Sequence, residues 1–413
     1  MNILLLTQWF DPEPTFKGLV FAKALQDNGH QVEVITGFPN YPGGRLYPGY
    51  KLKWRHRENI DGIKITRVFL VPSHSGSIVG RIINYLSFAV SACLVGLFNR
   101  SKIDVVYVYH PPITVGIAAA IIGAIRRIPF LLDIQDLWPD SLRATGMVNN
   151  AYLLNIVGKF CQWVYKRAKH IVVLSSGFRR ILIERKVSAA KIDIVYNWAN
   201  EQLLFTNKDD FSKLVKPSWF TVVFAGNMGK AQALYVVLLA AKRVEQLNAK
   251  IHFIFVGSGI EVAKLQEFVR KQQIDNVIFV PQVPINEVKS VLQLADILLV
   301  HLKDDPLFEI TIPSKLQAYL AVGKPILMAV KGDAAELIVQ AKAGYCAQPE
   351  DIDSITEAIL DMATLPKEVL LQMGQNGKDF YNKNLSLNVG VSRFLRIFDL
   401  MIKSGKIFVN YPK

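Results

Sequence analysis

Short apolar runs set between helix-period segments constrain this chain more than any other feature, because the pattern starts twice. NILLLT, QVEVIT, IKITRVFLV, DVVYVY, PFLLDIQ, HIVVLSS and KIDIVYN occupy the first half, and from Trp219 onward FTVVFAGN, IHFIFVGSG, NVIFVP and DILLVH begin it again. Runs of this length that do not alternate are buried on both faces, as in parallel sheets covered by helices. Leu19, Ala22 and Leu25 give the first helix its apolar face before it stops at Gly29. The predicted class is α/β with two doubly wound, Rossmann-like domains, and ligands in such sheets gather beyond the carboxyl ends of the strands. The 413 residues suffice for two cores, each of roughly 200 residues. Residues 201–217 mix charged and apolar side chains without period and read as a linker between domains at 1–200 and 218–385.

Charge narrows the partners. Lys and Arg number 48 against 34 Asp and Glu, a net charge of +14, so nucleic acid, anionic lipid and nucleotide sugars all qualify. No RNA-binding signature or zinc-finger spacing supports nucleic acid, and lipid is the preferred partner. Cys93, Cys161 and Cys346 lie in apolar surroundings without CxxC spacing and read as reduced core residues of a cytosolic protein. The first strand begins at Asn2 with no charged segment ahead of it, so no signal peptide is expected. Asp304 and Asp305 are adjacent rather than in DxD spacing, and the seven His are scattered. No metal or other cofactor is expected, which leaves fixed positive charge to do the work of Mg²⁺.

The densest chemistry lies in DDPLFEITIPSKLQAYLAVGKPILMAVKGDAAELI, residues 304–338. It predicts a loop, a helix opened by Pro313 and Ser314, a strand from Pro325 to Val330, and a helix entered through Gly332 and Asp333. N–H groups at a helix start favour an anion, and Lys315 adds a formal charge there. The same residues would also make a well-capped core helix.

PSKLQAYLAVGKP, followed by the Glu of DAAELI, resembles the donor-nucleotide segment of the family 4 retaining glycosyltransferases, which have the GT-B fold. DLWPDS is similar to a subgroup that builds bacterial O-antigen and capsule units, including N-acetyl-fucosamine transferases. The resemblance implies two Rossmann-like domains facing a central cleft, with a helix in residues 386–413 crossing back to the first domain. It also assigns candidate residues. Members usually carry two glutamates eight positions apart; counting back from Gly323 gives Ala318 and Ile310, with Glu309 one residue earlier and able to reach the donor sugar. Gln317 or Glu336 would then hold the ribose, and the diphosphate would rest near Thr311 and Ser314 beside Lys315 or Lys230. Gly226 ends the strand before that turn, where Asn227 and Gln232 replace a commoner Arg and Lys. In the first domain a pair of glycines usually approaches donor and acceptor. Only Gly18 stands there, after Thr15 and Lys17, whose charge could replace the backbone contact.

Two further elements of the first domain carry function. His110 ends a strand before two prolines, where the family places a His beside the donor sugar, although Tyr109 holds the strict position; a loop His capping backbone groups is the alternative. Asp133, Asp136 and Asp140 follow a buried strand with Trp138 among them. Carboxylates beside an aromatic face suit a sugar hydroxyl, and Asp136 is the candidate acceptor-binding residue, whereas Asp140 reads as a turn or helix cap. A helix around 78–98, nearly all apolar from Ile82 to Phe98 and flanked by Arg81, Arg100 and Lys102, is long enough to approach the span of a bilayer. Strands on either side belong to one sheet, so it reads either as a helix lying in one leaflet or as a core helix.

The resulting expectation is a retaining glycosyltransferase that moves a sugar from a UDP-linked donor to a polyprenyl-diphosphate-linked glycan. Its expected place is the cytoplasmic face of the inner membrane, against an anionic surface. A UDP-sugar epimerase of the same fold and a non-catalytic scaffold that binds sugar nucleotides are the alternatives.

Overall fold

A computed structural model describes residues 1–73, 78–110, 112–144, 147–201, 211–247 and 249–406, with 404–406 as backbone only. The chain divides into two compact units, Met1–Tyr196 with Gly390–Lys413, and Asn197–Val389. Of the expected linker, residues 202–210 lie outside the described residues.

Unit 1 is built on β1 (Asn2–Leu6), β2 (Gln31–Gly37), β3 (Arg55–Ile60), β4 (Ile63–Val68), β5 (Val105–His110), β6 (Phe130–Ile134), β7 (His170–Val173) and β8 (Ile192–Ile194). Their order is β3-β4-β2-β1-β5-β6-β7-β8, parallel except for β3 against β4. Every residue of β5 and β6 is buried, as continuous apolar strands between helix layers should be. β3 was not expected. RHRENI is a polar edge strand, joined to β4 by the two-residue turn Asp61-Gly62, both at positive φ.

Crossovers of the parallel strands are right-handed, so the direction of each step assigns its helix to a face. From β4 to β5, β5 to β6 and β6 to β7 the chain steps one way, which lays helices Ile78–Leu97, Ile113–Arg126 and Ala151–Arg167 on one face. The step from β1 to β2 runs oppositely and puts helix Leu19–Asp27 on the other. There it meets the final helix, Leu387–Lys406, whose Phe394 ring lies 5.3 Å from Phe21 and 5.4 Å from Tyr107.

Unit 2 carries β9 (Phe220–Ala225), β10 (Ile251–Val256), β11 (Val277–Val280), β12 (Ile297–His301), β13 (Ile326–Ala329) and β14 (Gly344–Cys346), in the order β11-β10-β9-β12-β13-β14. The direction of winding reverses between β9 and β12, the kind of crevice where doubly wound sheets take ligands. Local departures from expectation are small. A short helix, Pro306–Glu309, interrupts the loop after β12, and the next helix is Lys315–Val322, with Ser314 at its N-cap and no side-chain cap bond. Cys346 is exposed rather than core, Cys161 is buried and Cys93 half-buried; all three are thiols.

Candidate active site

At the strand ends of unit 2 lies a cavity of about 420 Å³. Its walls come from the end of β9 (Ala225 and Gly226), the end of β10 (Val256 and Gly257), Gln282 and Val283 beyond β11, and helix Lys315–Val322 through Lys315, Ala318 and Tyr319. Most of the lining is apolar, and among the described residues Lys315 is its one formal charge. Two features of the backbone shape it. Gly257 takes φ +144°, and a Cβ there would collide with the Gly226 carbonyl; the two strand ends touch because Gly257 has no side chain. Opposite them, Tyr319 ties its helix to β9, accepting from Ala225 N–H at 2.8 Å and donating to Ala225 O at 3.2 Å.

One turn earlier on the same helix face, that tie sets Lys315 against the end of β9. Its Nζ lies 3.4 Å from the centroid of the Phe224 ring, and a Cβ on Gly226 would stand 3.4 Å from it. The amine is buried and has no hydrogen-bond partner. Burial alone pulls its pKa down to about 7, since the ring offers a cation–π contact but no counter-ion. A buried donor without an acceptor is costly, and an anion entering the cavity would relieve it.

The other donor-side candidates sort by distance from this wall. Gly226 forms part of it. Lys230 is exposed at the start of a single 3₁₀ turn, and Gln232 turns back to accept from Gly229 N–H at 2.9 Å. Ser314 is exposed, while the Thr311 hydroxyl is spent on Leu307 O at 2.6 Å. Glu309 is exposed, with its backbone so close to Gly332 that a Cβ there could not fit. The two residues expected at the ribose lie off this cavity. Gln317 is buried and outside the cavity, its amide donating to the carbonyls of Ser314 at 2.8 Å and Pro313 at 3.1 Å. Glu336 is exposed on helix Asp333–Ala341 and does not line the cavity either. Asn227, Ser258, Gln282 and Tyr319 do line it and were not expected; the glycine-ended run IHFIFVGSG was the available signal.

Unit 1 has its own cluster at the strand ends. His110 closes β5 fully buried, both ring nitrogens lack a hydrogen-bond partner among the described residues, and burial lowers its pKa to about 4. The imidazole is therefore neutral near pH 7, able to donate from one nitrogen and accept at the other. Asp136 keeps solvent access among Tyr41, Tyr85 and Tyr109, and crowding pushes its carboxyl up to about 6. The Trp138 ring lies 6.2 Å from that of Tyr85. Asp140 opens the short helix Asp140–Ala144 and pairs with Arg185. Thr15 bonds the Tyr109 side chain.

Lys17 also departs from expectation. It is fully buried and pairs with Asp133 at 2.9 Å, while Asp133 also accepts from Tyr107 at 2.5 Å and Gln135 at 2.7 Å. Its charge is used inside the unit, not offered to a phosphate. Nor is the helix start after Gly18 open to an anion, for Asp11 already accepts from Leu19 N–H at 2.6 Å and crowds the Gly18 Cα. Fixed negative charge at a helix start is what a phosphate would otherwise supply.

Comparison with known proteins agrees with this architecture. Residues 19–198 match the glycosyl transferase 4-like domain, and residues 206–380 match the glycosyl transferases group 1. WcaI of Escherichia coli (strain K12), provisionally assigned as a colanic acid biosynthesis glycosyl transferase, is 24% identical over 384 residues, 89% of this chain and 93% of its own. WbjE of Pseudomonas aeruginosa, a probable glycosyltransferase, is 25% identical over 285 residues, 67% of this chain and 70% of its own. Among solved structures, Anabaena HepE in complex with UDP superposes with a TM-score of 0.68 at 14% identity, covering 97% of this chain and 100% of that one. The trehalose 6-phosphate synthase of Burkholderia multivorans gives 0.73 at 10% identity, covering 100% and 99%. Likeness at these identities speaks for the fold alone, and the two family matches supply the rest: the chain belongs to the family 4 glycosyltransferases, enzymes of the GT-B fold.

Proposed function

We infer that the unit 2 cavity takes the nucleotide of a UDP-linked sugar, and that the enzyme moves the sugar, with retention, to a lipid-linked glycan in the synthesis of a bacterial surface polysaccharide. The observation that carries this reading is the buried Lys315 amine, without a hydrogen-bond partner among the described residues, in the wall of a mostly apolar cavity at the carboxyl ends of the sheet strands. The apolar walls suit a base, and the amine suits a phosphate oxygen. UDP is favoured because HepE was crystallised with UDP and with UDP-glucose, and a polysaccharide product because of the assignment of WcaI. A polyprenyl-diphosphate carrier would place the work on the cytoplasmic face of the inner membrane.

In this reading, Lys315 neutralises charge that builds on the departing diphosphate, where a fixed donor in a dry site is worth most. His110 hydrogen-bonds a sugar hydroxyl or faces the developing positive charge of the ring, Glu309 binds hydroxyls of the donor sugar, and Asp136 receives the acceptor hydroxyl. Metal is not required. The test is release of UDP from a panel of UDP- and GDP-sugars, with and without a polyprenyl-diphosphate glycan. Acceptor-dependent release of UDP is expected. Turnover without acceptor would point to an epimerase, and binding without turnover to a scaffold.

A further inference from the structure

Helix Ile78–Leu97 is apolar on both faces. Its polar side chains point inward: Asn84 is buried and bonded to Gln8 at 2.5 Å, to Asn40 at 3.3 Å and to Val71 O at 2.7 Å, and Ser91 is buried as well. Phe88, Tyr85, Ala89 and Ala92 are buried beside them, yet Val79, Ile82, Ile83, Leu86, Val90 and Leu94 are all exposed along one stripe of the opposite face. A helix that only covers a sheet carries polar side chains on that outer face. Beside it, helix Ile113–Arg126 is packed close enough for Ile122 to fill the space over Gly96, and it exposes Ile125. Helix Ala151–Arg167, on the same face, exposes Tyr152, Leu153 and Phe160. Contiguous apolar surface on this scale marks an interaction site.

Charge says what covers it. The three helices together contain no Asp or Glu, where the chain's average would give about four, yet they carry Arg81, Arg126, Lys159, Lys166 and Arg167. Arg100, Lys102 and Arg127 stand exposed just beyond the helix ends. A second copy of the chain docked on this face would set one acid-free basic surface against another, which like-charge repulsion opposes. Anionic lipid meets both demands. Although its 20 residues are long enough to cross a bilayer, helix Ile78–Leu97 links β4 and β5 of one sheet, so it must lie along the surface.

We propose that this three-helix face seats unit 1 on an anionic bilayer, with the exposed stripe of Ile78–Leu97 sunk among the acyl chains and the basic helix ends at the headgroups. It is read from unit 1 alone and does not depend on how the donor binds. The test is sedimentation of the whole chain with vesicles of phosphatidylcholine, with or without an equal share of phosphatidylglycerol, at low and high salt. Binding to the phosphatidylglycerol vesicles is expected, weakened by salt. Replacing Arg100, Lys102 and Arg127 by Gln should weaken it about fivefold per charge, and Leu86→Asp with Val90→Asp should reduce it at least tenfold. Both variants change exposed side chains, and unchanged circular dichroism and UDP binding would show that they fold. The proposal is overturned if the unmodified chain stays in the supernatant at low salt, if it binds pure phosphatidylcholine equally well, or if the Leu86 and Val90 changes leave binding intact. A dimer in solution that Leu86→Asp dissolves would assign the face to a second copy instead.

Discussion

Lys315 is the residue whose chemistry most depends on what fills the cavity. Changing it to Ala should weaken UDP binding by about 1.5–3 kcal/mol, the range for a hydrogen bond to a charged group, as calorimetry would read it; Lys230→Ala, at an exposed position, should cost less. Unchanged affinity in the Lys315 variant would put the nucleotide elsewhere. Proton linkage gives a second check. The empty protein loses the Lys315 proton near pH 7, and a bound phosphate favours the charged amine and raises that pKa. UDP affinity should therefore be full below about pH 7 and fall as the pH rises, over a range where the terminal phosphate of UDP, with its pKa near 6, has already lost its proton. Lys315→Arg should remove the slope, since a guanidinium stays charged. His110→Ala makes the converse prediction: turnover drops far more than UDP affinity, because the imidazole would touch the sugar in the transition state. Equal turnover would reduce it to a packing residue.

At the scale of elements, helix Lys315–Val322 depends on the bonds of Tyr319 to Ala225. Tyr319→Phe leaves a strand-end N–H without its acceptor, at a cost of about 1–3 kcal/mol. A lower melting temperature and weaker UDP binding should appear together; a melting change alone would mean that Lys315 is placed by other contacts. What could be read in the sequence follows from which interactions are local. Continuous apolar strands announce themselves, and so does the Gly332 entry to helix Asp333–Ala341. β3 was missed because RHRENI is a solvated edge with no apolar period, although Asp61-Gly62 is a two-residue hairpin signal. Gln317 stands three residues after Ser314, close enough for its amide to donate to the Ser314 and Pro313 carbonyls, a local reason for it to turn back on its own helix start rather than toward a ribose. Lys17 could not be read correctly at all. A lysine in a Gly- and Pro-flanked loop reads as solvated, and its partner Asp133 comes from a distant strand.

For the whole molecule, two units with separate cores should not unfold as one two-state transition. Lys17→Met would leave Asp133 buried without its counter-ion and should destabilise unit 1 by about 3–5 kcal/mol. In urea, followed by probes in each unit, only the unit 1 transition should move; equal movement of both would mean that they unfold together. Acceptor-dependent UDP release should survive dialysis against a chelator, and a loss restored by Mg²⁺ would contradict the metal-free reading. The final helix has one more consequence. From Gly390 onward the chain belongs to unit 1, where Phe394 and Phe398 close over Phe21 and Tyr107. On a ribosome, the aromatic floor laid down by residues 21 and 107 must wait uncovered while all of unit 2 is made. Unit 2, continuous in sequence, can finish folding first although it is encoded second. The half-made first unit is then the species most open to chaperones and to aggregation, and its completion waits for the helix that follows unit 2.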